Sequence, residues 1–181
     1  SFGYFEKYDL KTVVDWVVNR FGPDHRIGTH GESLGAAITL QHAAIDPRIV
    51  FAIADCPFSD LYQQFVVRLH ADYHLPPFPL IPLCGFYARL LIGFDYRAVS
   101  PIGPIGSVGT PLMFIHGDKD TYVPSSMSVD LYHQKRVGPR ALYLAEGAKH
   151  ADAIKVNRSR YQAEVDHFLA SIGVIQAEDP G

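Results

Sequence analysis

The segment that most constrains this chain is IGTHGESLGAAITLQHAA, residues 27–44, in which two glycines flank one serine. Residues 26–30 read as a short strand, and residues 33–45 place small apolar side chains at helical spacing. A sharp turn from strand to helix holds its serine exposed in a strained backbone conformation. We predict this turn at Ser33, with Gly31 and Gly35 omitting Cβ atoms that would collide with neighbouring backbone.

This turn also predicts chemistry. A serine hydroxyl is a weak nucleophile until a base removes its proton. Because the helix begins directly after Ser33, the backbone N–H of Leu34 is expected to donate to a developing oxyanion. A GxSxG pattern arises by chance in about one chain of this size in twenty. The strand before it and the helix after it therefore carry the prediction.

The rest of the chain alternates strand-like with helix-like segments. Its 181 residues are 48% hydrophobic and 19% charged, which is ordinary for one folded domain. The first helix is predicted to be capped by Asp9, to end at Gly22-Pro23 and to bury one stripe: Leu10, Val13, Val14, Val17 and Phe21. Further strands are predicted at 49–56, in PLMFIHG and in ALYLA, and further helices at 125–136 and 154–172. This order predicts an α/β fold with a parallel sheet of about four strands, covered by helices on both faces.

One region, residues 57–107, breaks the alternation. It holds most of the prolines and many aromatic residues, as in YHLPPFPLIPLCGFYARLLIGFDY. Two helices are expected inside it, at 61–70 and 83–92, with no regular strand pattern. We interpret it as an insert in a single domain that spans residues 1–181.

An acid and a base follow the serine in the order that this turn requires. HGDKDTYVP offers Asp118 and Asp120 after one buried strand, and GAKH offers His150 after the next. Loops at the carboxyl ends of parallel strands meet at one edge of the sheet. Ser33 is thus predicted to attack, His150 to act as base and then acid, and one of the two carboxylates to orient the imidazole.

These motifs resemble the α/β-hydrolase superfamily, in particular its bacterial serine-hydrolase branch. The resemblance rests on GESLGAA, DCPFSDL, SPI, PLMFIHGDKDTYVP and GAKH and covers nearly the whole chain. It implies that the acid is the second aspartate of HGxxDxxVP, Asp120, and that Asp118 braces the loop. It also implies that the insert is a lid that covers the serine and shapes an apolar pocket.

The resemblance further predicts that the chain is the C-terminal portion of a longer fold. In the superfamily the serine turn follows the fifth of eight strands, whereas here it follows one helix. The absent part would hold the second oxyanion donor and any signal or membrane anchor, with a cytoplasmic location as the default expectation. The strand at 26–30 would then have an exposed edge, which predicts self-association.

Other classes of site are weakly supported. The net charge of −3 offers no basic field for nucleic acid. Cys56 and Cys84 lie too far apart for a CxxC metal or redox pair, and His70 and His74 lack a third ligand. We therefore expect no metal and no cofactor.

Three functions are compatible with the sequence. A carboxylesterase or lipase-like serine hydrolase that forms an acyl-enzyme is preferred. The alternatives are a serine peptidase of the prolyl-oligopeptidase kind and a catalytically silent interaction domain.

Overall fold

A parallel sheet organises the chain. The computed structural model describes residues 1–176. Its strands are β1 (Ile27–Glu32), β2 (Ile49–Asp55), β3 (Leu112–Gly117) and β4 (Arg140–Ala145). They pair in the order β1-β2-β3-β4, and every pair is parallel. The predicted α/β class and the four-stranded parallel sheet are confirmed.

Helices connect and cover these strands. They are α1 (Glu6–Phe21), α2 (Leu34–Ala43), α3 (Leu61–Tyr73), α4 (Leu80–Ile92), α5 (Ile102–Ile105), α6 (Ser126–Gln134), α7 (Ala153–Val156) and α8 (Arg158–Ser171), with a 3₁₀ turn at Tyr96–Ala98. Within the described residues, no helix has both the length and the apolar character needed to cross a bilayer.

The two central strands bury side chains on both faces. Leu112 and Phe114 of β3 join a core cluster with residues of α1, α2, α5 and α6. Met113 and Ile115, which alternate with them, join a second cluster with residues of α7 and α8. Successive side chains of a strand point to opposite faces, so a nearly continuous apolar run is what a doubly covered strand requires.

The start of α1 differs from the prediction. The helix begins at Glu6, whose carboxylate accepts a hydrogen bond from the N–H of Gly3 at 2.9 Å. Asp9 therefore lies inside the first turn and is not the cap. Of the predicted stripe only Val14 is buried, while Val13 and Phe21 are exposed. Each face of α1 carries valines or aromatics, so apolar spacing alone did not identify the packed face.

The boundaries of two later helices also differ. Helix α4 begins at Leu80 and not at residue 83, because Pro82 sits in the first turn, where a missing N–H costs little. The predicted helix at 154–172 is divided into α7 and α8 at Asn157, which is not helical. The Asn157 side chain accepts from the N–H of Arg160 at 3.0 Å and so caps α8.

The insert packs beside the serine turn through its own core. Ala37 of α2, Val123 after β3 and Met127 of α6 share a buried cluster with residues of the insert: Phe58, Leu61, Ile81, Phe94, Tyr96 and Val99. The insert is therefore joined both to the helix that follows Ser33 and to the loop that carries Asp120.

Strand β1 forms one edge of the sheet as the structure describes it. It pairs with β2 alone, and its residues alternate between half-buried and exposed. Self-association through this edge stays a prediction.

Candidate active site

The carboxyl ends of the strands are level, which brings three loops together. Glu32 at the end of β1 lies opposite Asp55 of β2, and Gly117 at the end of β3 lies opposite Ala145 of β4. The residues that follow β1, β3 and β4 therefore emerge at one edge of the sheet. Ser33, Asp120 and His150 all lie in these segments.

Ser33 lies in a strained turn. Its φ of 53° and ψ of −113° place a non-glycine residue at positive φ between β1 and α2. Its N–H donates to the carbonyl oxygen of Asp55 at 2.8 Å, and this bond ties the turn to the neighbouring strand. Backbone strain of this kind costs on the order of 1–3 kcal/mol and persists where surrounding contacts maintain it.

The two flanking glycines serve different purposes. A Cβ on Gly31 would lie 2.2 Å from the carbonyl oxygen of Gly35, so the turn cannot close around a side chain there. A Cβ on Gly35 would meet no atom outside its own helix within 4 Å. The expected collision is confirmed for Gly31 and wrong for Gly35, because residue 35 already lies inside α2 and faces open space.

This difference predicts opposite effects on stability. Gly31→Ala is expected to lower the free energy of unfolding by about 2 kcal/mol or more, since backbone must move. Gly35→Ala is expected to raise it by about 0.5–1 kcal/mol, since alanine is the better helix former. Urea unfolding of the two variants measures this; equal destabilisation by both would contradict the close approach at Gly31.

Ser33 and Asp120 both contact His150. The Oγ of Ser33 lies 2.8 Å from Nε2 of His150, and Nδ1 of the same ring lies 2.6 Å from Oδ2 of Asp120. An ionised carboxylate can only accept, so Nδ1 carries the hydrogen toward Asp120. In the neutral ring, Nε2 is then the acceptor for the serine hydroxyl.

The Asp120 side chain is fully buried, and four donors hold it. Oδ1 accepts from the N–H groups of Tyr122 and Val123 at 2.8 and 2.9 Å, and Oδ2 accepts from His116 and His150. Burial alone would raise the pKa of this carboxyl. The hydrogen bonds from His116, His150 and the two backbone groups outweigh burial and hold the pKa well below its ordinary value. Asp120 is therefore ionised at neutral pH.

His116 is a positioning residue that the sequence analysis did not place in the site. Its Nε2 lies 3.1 Å from Oδ2 of Asp120 and 2.9 Å from the carbonyl oxygen of Val123, both acceptors, so Nε2 carries the hydrogen. Nδ1 then accepts from the hydroxyl of Ser128 at 2.7 Å.

Close backbone contact brings the loops of Asp120 and His150 together. A Cβ on Gly117 would lie 2.3 Å from the carbonyl oxygen of Ala148, so only glycine allows the two loops to approach. The carboxylate of Asp118 accepts from the N–H of Gly147 at 2.7 Å. Asp118 thus connects the loops, whereas Asp120 is the carboxylate that contacts His150.

The remaining site residues lie around Ser33. Leu34 is the first residue of α2, where backbone N–H groups have no partner within the helix. Its N–H directly follows the serine along the chain, and its role as an oxyanion donor stays a prediction. Glu32 is exposed at the end of β1.

Cys56 lies close to the site but is a poor metal ligand. Its sulfur, a carboxylate oxygen of Asp120 and a ring nitrogen of His150 lie within 4.8 Å of one another. Burial, aided by the charge of Asp55, raises the pKa of the thiol to about 12, so Cys56 stays protonated. Both oxygens of Asp120 already accept hydrogen bonds. The donor set therefore does not favour a metal ion. At the other candidate site, His70 and His74, the carboxylate between the two histidines, Asp72, is paired with Arg68.

An apolar cavity of about 360 Å³ lies beside the site. Residues of α3, α4 and the segment after α4 line it, among them Phe65, Leu69, Ile81, Cys84, Ala88 and Phe94. Ser33, Asp120 and His150 are not in its wall. Arg68 does line the cavity, and its guanidinium lies 4.4 Å from the centre of the Tyr122 ring. The Tyr122 ring in turn lies 4.9 Å from the ring of His150.

The family of the chain follows from its match to known proteins. A model of the prolyl oligopeptidase family matches residues 3–173. The chain belongs to the prolyl oligopeptidase family. Members of this family have the α/β-hydrolase fold, so the superfamily resemblance is confirmed.

A curated relative of this prolyl oligopeptidase family member is YqkD of Bacillus subtilis (strain 168). The two are 42% identical over 171 residues, which are 93% of this chain and 56% of YqkD. The chain therefore spans a little over half the length of this relative.

Solved structures with the same fold include esterases and peptidases. The Pyrococcus furiosus esterase Pf2001 aligns with a TM-score of 0.72 and 24% identity, over 94% of this chain and 63% of the esterase. The Pyrococcus horikoshii acylaminoacyl peptidase aligns with a TM-score of 0.72 and 18% identity, over 99% of this chain and 29% of the peptidase. A puromycin hydrolase aligns with a TM-score of 0.74 and 17% identity, over 98% of this chain and 27% of the hydrolase. At these identities the likeness establishes the fold of this prolyl oligopeptidase family member.

Proposed function

We propose that this protein is a serine hydrolase that cleaves esters of small or medium apolar acyl groups through an acyl-enzyme. The observation that carries the proposal is the line of contacts from Ser33 through His150 to Asp120, at 2.8 and 2.6 Å. This arrangement has the geometry of a catalytic triad. The family match and the neighbouring hydrolases support the same reaction class.

Each residue has a defined part in the proposed reaction. His150 Nε2 takes the hydroxyl proton of Ser33 as Oγ attacks the ester carbonyl carbon. The N–H of Leu34 donates to the oxyanion of the tetrahedral intermediate. As that intermediate collapses, the C–O bond to the alcohol breaks and His150 returns the proton to the alcohol oxygen. Water then attacks the carbonyl carbon of the acyl-enzyme while His150 Nε2 takes a proton from it. The bond between that carbon and Oγ breaks, His150 returns the proton to Oγ, and the acid is released.

The ester reading is preferred over the peptidase reading because of the apolar cavity. Its lining residues offer an apolar acyl chain many contacts, with Arg68 as the one charged residue among them. The family match favours a serine peptidase as the second candidate, since it is named for prolyl oligopeptidases.

Fluorophosphonate labelling together with paired substrates tests the proposal. A fluorophosphonate probe is expected to label Ser33, located by peptide mapping, and hydrolysis of p-nitrophenyl butyrate is expected to exceed that of aminoacyl p-nitroanilides. A higher kcat/KM for the anilides would select the peptidase reading. No labelling and no turnover would select the silent interaction domain.

A further inference from the structure

Helix α4 is apolar on its outer side as well as toward the cavity. The α4 residues that line the cavity are mostly small: Leu80, Ile81, Cys84, Gly85 and Ala88. Its outward side chains are large and exposed, and with Phe78 they form a surface that we name the α4 outer face: Phe78, Leu83, Phe86, Tyr87, Leu90 and Leu91. The helix positions recur at intervals of three and four residues, so they share one side of α4.

The exposure of this face is unusual for its composition. Leu90 is 68% exposed, Leu91 75% and Phe86 62%. Single exposed apolar residues are common, but a continuous apolar surface marks a site of interaction. A helix that is apolar all round is normally surrounded by apolar material.

The length of α4 excludes a membrane-spanning role for this helix and favours a surface on which it can lie flat. Its 13 residues correspond to about 20 Å, less than the roughly 30 Å of a bilayer core. An apolar helix of this length is typically either a core helix or a segment lying in a membrane interface. Within the described residues its outer side is not covered by core, and this favours a segment that lies in a membrane interface.

The charges around the face are compatible with an anionic surface. Residues 73–94 contain Arg89 as their one charged residue, 74% exposed by its side chain, and neither aspartate nor glutamate. Extending the segment to residue 97 includes Asp95 and Arg97. The segment 73–97 then carries two positive charges and one negative charge, a net charge of +1, whereas the whole chain has a formal net charge of −3. The two acidic residues that flank the segment are each paired with an arginine. Asp72 pairs with Arg68, and Asp95 lies 3.9 Å from Arg89.

We propose that the α4 outer face docks on an anionic lipid surface, with α4 lying flat in the interface. The proposal rests on the proposed function, because an enzyme of apolar esters meets its substrate where such esters accumulate. The large side chains would enter the acyl boundary while Arg89 contacts headgroup phosphates. Arg68, which lines the cavity on the inward side of the same helix, packs on the ring of Tyr122, and that ring contacts the ring of His150.

Vesicle sedimentation tests the proposal on the full chain in a Ser33→Ala background, so that no lipid is hydrolysed. Vesicles of phosphatidylcholine with phosphatidylglycerol are expected to bind the protein more tightly than phosphatidylcholine alone. Leu90→Glu with Leu91→Glu is expected to lower the partition coefficient at least about tenfold. The matched control is Val13→Glu with Trp16→Glu on α1, where the original side chains are 55% and 61% exposed; its partition coefficient should change less than about twofold.

Three results would overturn the proposal. These are no sedimentation with either vesicle, an equal loss in the α1 control, or a dimer in size-exclusion chromatography that the α4 variant abolishes while vesicles bind nothing. The last would assign the face to a second copy of the chain. Hydrolysis of water-soluble p-nitrophenyl acetate is measured separately with Ser33 intact. Normal hydrolysis without vesicle binding refutes only the docking proposal, and vesicle binding without hydrolysis refutes only the proposed function.

Discussion

Replacing Ser33 with alanine is expected to lower kcat toward p-nitrophenyl butyrate by about 10⁶-fold and to abolish fluorophosphonate labelling. The physical reason is that Oγ, which lies 2.8 Å from Nε2 of His150, forms the acyl-enzyme in the proposed reaction. The residual rate would come from substrate binding and the Leu34 N–H. Steady-state kinetics and probe labelling on the purified variant measure the effect.

Two further variants make this result specific. Ser107→Ala removes an exposed hydroxyl that donates to the carbonyl oxygen of Pro104, and it should leave kcat unchanged. His150→Ala added to Ser33→Ala should cost little more than Ser33→Ala alone, because the two groups act as one unit. If labelling survives in Ser33→Ala, the nucleophile lies elsewhere.

Replacing Asp120 with asparagine is expected to lower kcat by about 10⁴-fold with the fold retained. The carboxylate accepts from Nδ1 of His150 at 2.6 Å and so keeps Nε2 free to accept the serine proton. An amide that donates to Nδ1 would favour the other tautomer, in which Nε2 carries a hydrogen and cannot act as base. The same ester assay, with circular dichroism as the check on folding, measures the loss.

Asp118→Asn is the matched control for the choice of acid. Asp118 accepts from the N–H of Gly147, and an asparagine oxygen can accept the same bond. Its kcat should therefore stay within about threefold of the wild-type value, since a surface amide costs little. A larger loss in Asp118→Asn than in Asp120→Asn would transfer the role to Asp118.

Local patterns in the amino-acid sequence predicted much of the fold. The apolar run at 49–56 located β2 within one residue. A strand covered on both faces is apolar along nearly its whole length, so the ends of the apolar run coincide with the ends of the strand. Gly22 indicated the end of α1 because the residue that ends this helix has a positive φ, a conformation that glycine adopts without strain. Asn157 was missed, since asparagine is tolerated inside helices as well as at their caps.

The candidate site was predicted less completely. Ser33, Asp120 and His150 could be named because each follows a strand in a recognisable motif. The support of Asp120 by His116 and Ser128 could not, because it depends on a loop fold that places residues 116, 120 and 128 together. Gly35 was assigned a steric role that belongs to Gly31 alone, since spacing carries no information about which side of a turn is crowded.

From its residues alone the chain determined which segments are strands and helices, and which side chains have the chemistry of nucleophile, base and acid. These properties depend on local periodicity and on functional groups. The tertiary structure alone decided that residues 33 and 150, 117 positions apart, meet at 2.8 Å. It also decided that one side of α4 encloses a cavity while the other is exposed. Both outcomes depend on strand order and on packing between distant segments, which no local pattern encodes.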